Sequence, residues 1–384
     1  MGDFRAGAVD LERMRALAGV VGAGIVLVIL WDAFEALVLP RRITRRLRPT
    51  RFFYTSTWRL WKLVALGMRQ GGRRETYLSF YGPLSLLVLL NLWAFSLVAG
   101  FALLQWSLGL ALKTADSHPT LWDALYMSGS SFFTLGLGDI VPLSGLARTL
   151  TVVEAGMGFM FLAVMVGYLP ALNQAFSRRE VSIVLLDARA GSPPSAATLM
   201  LRHGDDRDGL VALLHEWERW GADFLESHLS YPVLCFFRSQ HDNQSWLAAL
   251  TTMLDASALV IVTMPGQPAR QARLTFAMAR HAVVDVAQVL GRSPQPDAPE
   301  RWSPVDARVL EQIVKGELDA ATLAELQLLR AMYEPYVTVL SEHLLMPLPQ
   351  WTAESVTDNW RTSAWQRRGT GRAGGRRDVH DDDD

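Results

Sequence analysis

Thr134, Leu135, Gly136, Leu137 and Gly138, closed by Asp139, put a hydroxyl and two alternate glycines into one short run. That pattern suits one kind of chemistry. A dehydrated monovalent cation needs its water oxygens replaced, and stacked rings of backbone carbonyls can do so where several chains meet on an axis. Successive carbonyls must then all face the axis, which neither helix nor strand permits. Glycine at alternate positions allows the required backbone angles. Thr134 would add a ring of hydroxyls at the inner end. Such irregular backbone is tolerated at membrane depth only where it lines a water- or ion-filled path.

The elements around the run must supply that setting. Thr120-Leu121-Trp122-Asp123 reads as a capping box, with Thr120 as cap and Asp123 three residues on, so a short helix should start there. It ends near Phe133, and its negative dipole end favours a waiting cation. Two uncharged apolar stretches flank it, one within Leu78 to Leu112 and one from Ala155 to Phe176. A third apolar stretch runs from Ala16 to Leu39, interrupted by Asp32 and Glu35. Each is long enough to cross a bilayer, which takes roughly 20 residues. The first does not end in a small-residue cleavage site and is expected to be retained.

Charge gives the expected orientation. Residues 41–74 carry Arg41, Arg42, Arg45, Arg46, Arg48, Arg51, Arg59, Lys62, Arg69, Arg73 and Arg74, with no acid before Glu75. By the positive-inside rule this loop is cytoplasmic, the N-terminus lies outside, and the chain from about Ser177 onward is cytoplasmic. Phe52 to Met68 mixes aromatics with Arg59 and Lys62. It reads either as an amphipathic helix in the headgroup layer, beside anionic lipid, or as a plain linker helix. The expected organisation is a membrane helix over 1–40, a basic linker over 41–76, a pore module over 77–176, a cytoplasmic domain over 177–347 and a tail over 348–384. The fold class is an α-helical membrane protein with three membrane helices, a re-entrant helix and a mostly helical cytoplasmic domain. Within that domain Val181 to Leu186 reads as a strand, while Leu210, Leu213, Leu214 and Trp217 have helical spacing, as do Leu310, Ile313 and Val314, and Leu323, Leu326, Leu329 and Met332.

The run Thr134 to Asp139, with Ile140-Val141-Pro142 after it, resembles the Thr-Val-Gly-Tyr-Gly-Asp signature of the potassium channel superfamily. The likeness covers roughly Leu78 to Phe176 and is to bacterial two-helix channels with one extra N-terminal helix. It implies a homotetramer in the plasma membrane, with K⁺ as permeant ion and no other cofactor. It implies that Thr134, Leu135, Gly136, Leu137 and Gly138 coordinate K⁺, and that Asp139 braces the outer mouth. Leu137 stands where the family has Tyr, and Phe133 replaces a second Thr. Both changes remove groups that stiffen the filter, so a weakly selective cation channel is the alternative, as is a membrane-anchored sensor or scaffold with a vestigial pore.

Other candidates are fewer. Gly156, Gly158, Gly167 and Pro170 punctuate the last span, as a gating bend or as close-packing positions. Glu154, an intramembrane acid, is expected to brace Arg148 or the short helix. Asp32 and Glu35 read as anchors reaching the arginines after Pro40. His215, Glu216, His228, His241 and Asp242 match no metal template, and Cys235 is the one cysteine. No glycine fingerprint, phosphate loop, nucleophile elbow or zincin motif is present, so no enzyme and no Rossmann-type regulatory domain is expected. The arginines at 41–51 and 372–377 are expected to face lipid or solvent, not nucleic acid.

Overall fold

The computed structural model describes residues 2–37, 48–109, 112–113, 119–241, 243–297, 301–302, 306, 308–309, 311–312 and 319–352, without the side chains of 2–11. Arg41, Arg42, Arg45, Arg46, Asp242, Leu310, Ile313, Val314 and the tail beyond 352 lie outside the described residues. The elements are α1 (Gly2–Leu37), α2 (Pro49–Gly67), α3 (Gly72–Ser107), β1 (Leu112–Lys113), α4 (Leu121–Phe132), β2 (Val141–Pro142), α5 (Gly145–Ala190), α6 (Ala196–His203), α7 (Arg207–Ser230), α8 (Trp246–Thr263), α9 (Gln267–Val289), α10 (Ala320–Ala331) and α11 (Glu334–Leu344). The protein is mostly helical, as its apolar periodicities require. The chain divides into one unit of residues 1–60 and 83–173 and another of 61–82 and 174–384.

Four helices are long and apolar enough to cross a membrane: α1 from Glu12, α3, α5 and α8. The first three match the stretches read from sequence. The fourth, α8, has 89% of its apolar window buried inside the protein. A helix that is apolar all round belongs either in lipid or in a core. Here it is wrapped by other helices of its own unit.

In the first unit, α1 and α3 cross at small residues. A Cβ on Gly22 would lie 2.7 Å from the Gly100 carbonyl, and one on Gly100 would lie 2.8 Å from Val26 Cγ2. Close backbone approach through glycine is how helices pack where lipid offers no hydrophobic drive. The acids on α1 are buried and engaged. Asp32 Oδ2 accepts from Trp93 Nε1 (3.1 Å) on α3 and from Thr50 N (3.1 Å) at the start of α2. Glu35 pairs with Arg48 at 3.1 Å. Asp32 thus binds a helix N-terminus, where an anion is favoured. The expectation that these acids meet basic residues after Pro40 holds through Arg48.

The second unit is built on α7, α8 and α9. Leu210, Leu213, Leu214 and Trp217 form the buried stripe of α7. One expectation is corrected here. Val181 to Leu186 is not a strand, because α5 continues to Ala190. No glycine or proline interrupts 171–190, and the backbone ends its helix only at Gly191 (φ 85°), before Ser192-Pro193. Arg179 is buried, not in solvent. Its guanidinium pairs with Glu180 (2.9 Å), donates to the Leu234 and Phe237 carbonyls (3.0 Å each), and faces His228 Nε2 at 3.3 Å.

His228 is fully enclosed. Its Nδ1 lies 2.8 Å from the Phe224 carbonyl, so Nδ1 donates there and Nε2 accepts from Arg179. Burial, and then Arg179, hold His228 neutral, well below the ordinary histidine range. His343 is pushed down to about 3, by burial and then by Arg292 and Lys62. Both folded values lie below the unfolded value of about 6.5. The stability these groups confer is complete above pH 6.5 and declines as pH falls, toward about 3 for His343. At pH 5 each should cost about 1–2 kcal/mol. Thermal unfolding of the full chain between pH 8 and 5 should show a falling midpoint, flatter in a His343→Gln variant. A midpoint independent of pH in this window would contradict it.

Candidate functional site

The run Thr134–Gly138 is neither helix nor strand. Its backbone alternates in hand: Thr134, Gly136 and Gly138 have φ of 58°, 59° and 77°, while Leu135 and Leu137 are not left-handed. Alternation of hand turns successive peptide units so that their like poles face the same way. The two glycines adopt such angles at little cost. Thr134 does not; a β-branched residue at positive φ is an outlier, and such strain collects at functional positions. Nothing lies within 4 Å of a Cβ built on Gly136 or Gly138. Space does not demand glycine there; backbone angle does.

The short helix α4 positions the run. Thr120 caps it as the sequence indicates: the Asp123 amide reaches Thr120 Oγ1 at 3.4 Å, and the Thr120 amide donates to Asp123 Oδ2 at 2.7 Å. At the other end, the free carbonyls of α4 take amides from the run. Thr134 N donates to Ser131 O (3.1 Å), and Leu135 N and Gly136 N donate to Ser130 O (2.8 and 3.3 Å). Helix ends must have such partners. The run therefore starts as a direct continuation of the helix terminus.

Three braces hold this assembly. Ser128 Oγ donates to the Val98 carbonyl on α3 (2.7 Å) and is bonded to the buried Glu154 carboxylate on α5. The expectation that Glu154 braces the short helix is met. Arg148 does not share in it; its Nε donates to the Pro142 carbonyl at 3.1 Å. Gln105 Nε2 on α3 donates to the Ala147 carbonyl (3.2 Å) and to Thr151 Oγ1 (3.0 Å). Beyond the run, β1 pairs antiparallel with β2, Leu112 opposite Pro142 and Lys113 opposite Val141. Neither the Gln105 bonds nor this ladder has a signal in the sequence.

Asp139 follows the run, with the Tyr126 side chain of α4 nearby. Leu137 has no hydroxyl to offer a brace. Leu135 and Leu137 are exposed, each 64%.

The glycines of α5 separate by surroundings. At Gly158 a Cβ would lie 1.9 Å from the Phe132 carbonyl, so α5 crosses the end of α4 in backbone contact. Gly156 and Gly167 have open space around them. Pro170 lies inside α5 without ending it.

The polar candidates elsewhere do not converge. His215 and Glu216 are exposed on α7, His228 is buried beneath Arg179, and His241 is exposed. Among the described residues no group of three histidine, cysteine or acidic side chains could hold a metal ion.

Comparison with known proteins agrees with the geometry. Residues 87–174 match the family model described as ion channel. That family is one of ion channels, not of enzymes. The chain is 27% identical over 215 residues to the uncharacterized membrane protein YdjJ of Bacillus subtilis (strain 168), over 55% of this chain and 61% of that protein. The chain thus spans about three fifths of that relative's length. No solved structure matches it. The chain is a multi-pass membrane protein with an ion channel pore domain, followed by a helical C-terminal region.

Proposed function

We propose that four copies of this chain surround one axis and conduct K⁺ passively, with Thr134, Leu135, Gly136, Leu137 and Gly138 as the selectivity filter. The observation that carries this reading is the alternating hand of the backbone at 134, 136 and 138. Carbonyls turned to one side are what a dehydrated K⁺ needs, and several such rings in series let ions repel each other through. The C-terminal end of α4 directs its negative pole toward the same path. Asp139 sets the outer mouth.

In this reading Gly167 and Pro170 provide the bend of the inner helix, and Gly158 its pivot against α4. The second unit is cytoplasmic and sets the open probability or holds the assembly together. The N-terminus faces out. On α2, Phe52, Leu60, Leu63 and Val64 are exposed beside exposed Arg51 and Arg59. That face fits the headgroup layer of an anionic membrane.

Purified protein in liposomes under K⁺/Na⁺ bi-ionic conditions tests the reading. K⁺ selectivity predicts a reversal potential displaced strongly toward the K⁺ equilibrium value. A reversal near zero would instead make it a weakly selective cation channel, the outcome that Leu137 favours because it has no hydroxyl. Gly136→Asp is the control; equal flux in the two proteins would take the filter out of the account altogether and leave a membrane-anchored scaffold.

A further inference from the structure

A cleft of ≈ 520 Å³ lies within the second unit, between the C-terminal half of α5 and one face of α7. Its volume falls in the range of small-molecule sites, about 300–1,000 Å³. Val181, Ala212, Trp220 and Phe224 line it with apolar surface. Trp220 and Phe224 are buried side chains whose rings stack, with centroids 5.2 Å apart.

The charges on its walls do not cancel. Arg179 is already paired with Glu180, Glu216 is engaged by Arg189 (3.3 Å), and His215 faces Glu218 (3.6 Å). That leaves Arg178 on α5 and Arg219 on α7 against Asp223. Neither arginine makes an ion pair among the described residues, and both are exposed. Guanidinium groups from two helices, beside exposed Val181 and Ala212, suit a phosphate on an apolar body: the planar fork recognises the phosphate oxygens and the apolar lining takes the body. Ser182 and Ser227 add hydroxyls to the lining.

We propose that this cleft binds a phosphomonoester carried on an apolar or aromatic body, with Arg178 and Arg219 on the phosphate and Val181 and Ala212 against the body. Two sources share that chemistry, a nucleoside monophosphate and the headgroup of an acidic lipid. The cleft is walled by α5, the helix that also carries Glu154 and Gly158. If the channel reading above holds, a ligand joining α5 to α7 acts on the gate; binding itself does not depend on that reading.

The test is binding to the full chain in detergent, by calorimetry, with AMP and with dioctanoyl phosphatidic acid as probes and inorganic phosphate as control. The expected result is that one probe binds, and that its Kd rises at least tenfold in both Arg178→Ala and Arg219→Ala. Inorganic phosphate, lacking the body, should bind far more weakly. AMP as the winning probe assigns the site to a nucleotide, and the lipid assigns it to a headgroup. Binding of neither probe below millimolar concentration overturns the proposal, as does binding undiminished in both variants. A change in assembly state, with no change in affinity, on Arg219→Ala also overturns it, because a second copy of the chain then fills the cleft. Bi-ionic reversal potentials of the same preparations report separately on the filter, so failure of one reading is distinguishable from failure of the other.

Discussion

Replacing Gly136 by Ala is expected to abolish K⁺ flux while leaving the helical content and assembly of the protein intact. The reason is backbone hand, not size. Gly136 has φ 59°, and nothing lies within 4 Å of the position its Cβ would take. An L-residue there is disfavoured by about 1–2 kcal/mol. In the proposed tetramer that cost recurs in every copy, so the total approaches the scale at which the alternating backbone gives way to another conformation. A flipped peptide unit turns its carbonyl from the axis and presents an N–H to the cation. Liposome flux should fall at least tenfold. A D-alanine introduced by semisynthesis at the same position should retain flux, since its preferred φ is positive. If L-alanine conducts like the parent protein, the left-handed angle at 136 is not what the filter depends on.

The irregular backbone of residues 134–138 was legible in the sequence because its requirement is local and positional. Alternate glycines after a capped helix leave few structural alternatives, and Thr120, Asp123, Gly136 and Gly138 all behave as their types dictate. The brace at Glu154 was half legible: a buried acid in an apolar span needs a partner, but two partners were in range along the chain, and only the packing of α4 on α5 selects Ser128. Val181 to Leu186 failed for a different reason. A short apolar run rich in β-branched residues has no period that separates a strand from a buried helix. The deciding fact is the unbroken helical phase from Gly145, because a helix already formed extends at low cost. Gln105 illustrates the remaining gap. Its bonds to Ala147 and Thr151 join α3 to α5, and only the packing of those two helices brings the groups together.

The core of the second unit holds a buried ionic network that no spacing announces. Asp255 sits on the apolar helix α8, with none of its surface exposed. Arg301 binds it with two nitrogens, at 2.8 and 3.1 Å, and the Tyr333 hydroxyl donates to it at 2.5 Å. Arg301 also reaches Glu334 (3.2 Å) and the Pro349 carbonyl (2.8 Å). Glu334 is held in turn by Arg330 (3.1 Å), whose guanidinium lies over the rings of Trp302 and Trp351. The network thus fastens residues 301–302 and 349–351 onto α8 and α11 of the same unit.

Asp255→Ala should destabilise this unit by about 3–5 kcal/mol, because it leaves Arg301 buried without its main counter-charge. Removing both partners should cost less, since an apolar pair strands no charge; Asp255→Ala combined with Arg301→Met should recover a substantial part of the loss. Glu334 keeps Arg330 in the double variant, so the rest of the network survives. Thermal unfolding and protease resistance of the full chain would measure both. Asp255→Ala costing under about 1 kcal/mol would mean that water reaches Arg301 and screens it, as for an exposed pair. A double variant worse than the single would show that Arg301 acts mainly through Glu334 and Pro349, as a clamp on the C-terminal strap and not as the partner of Asp255.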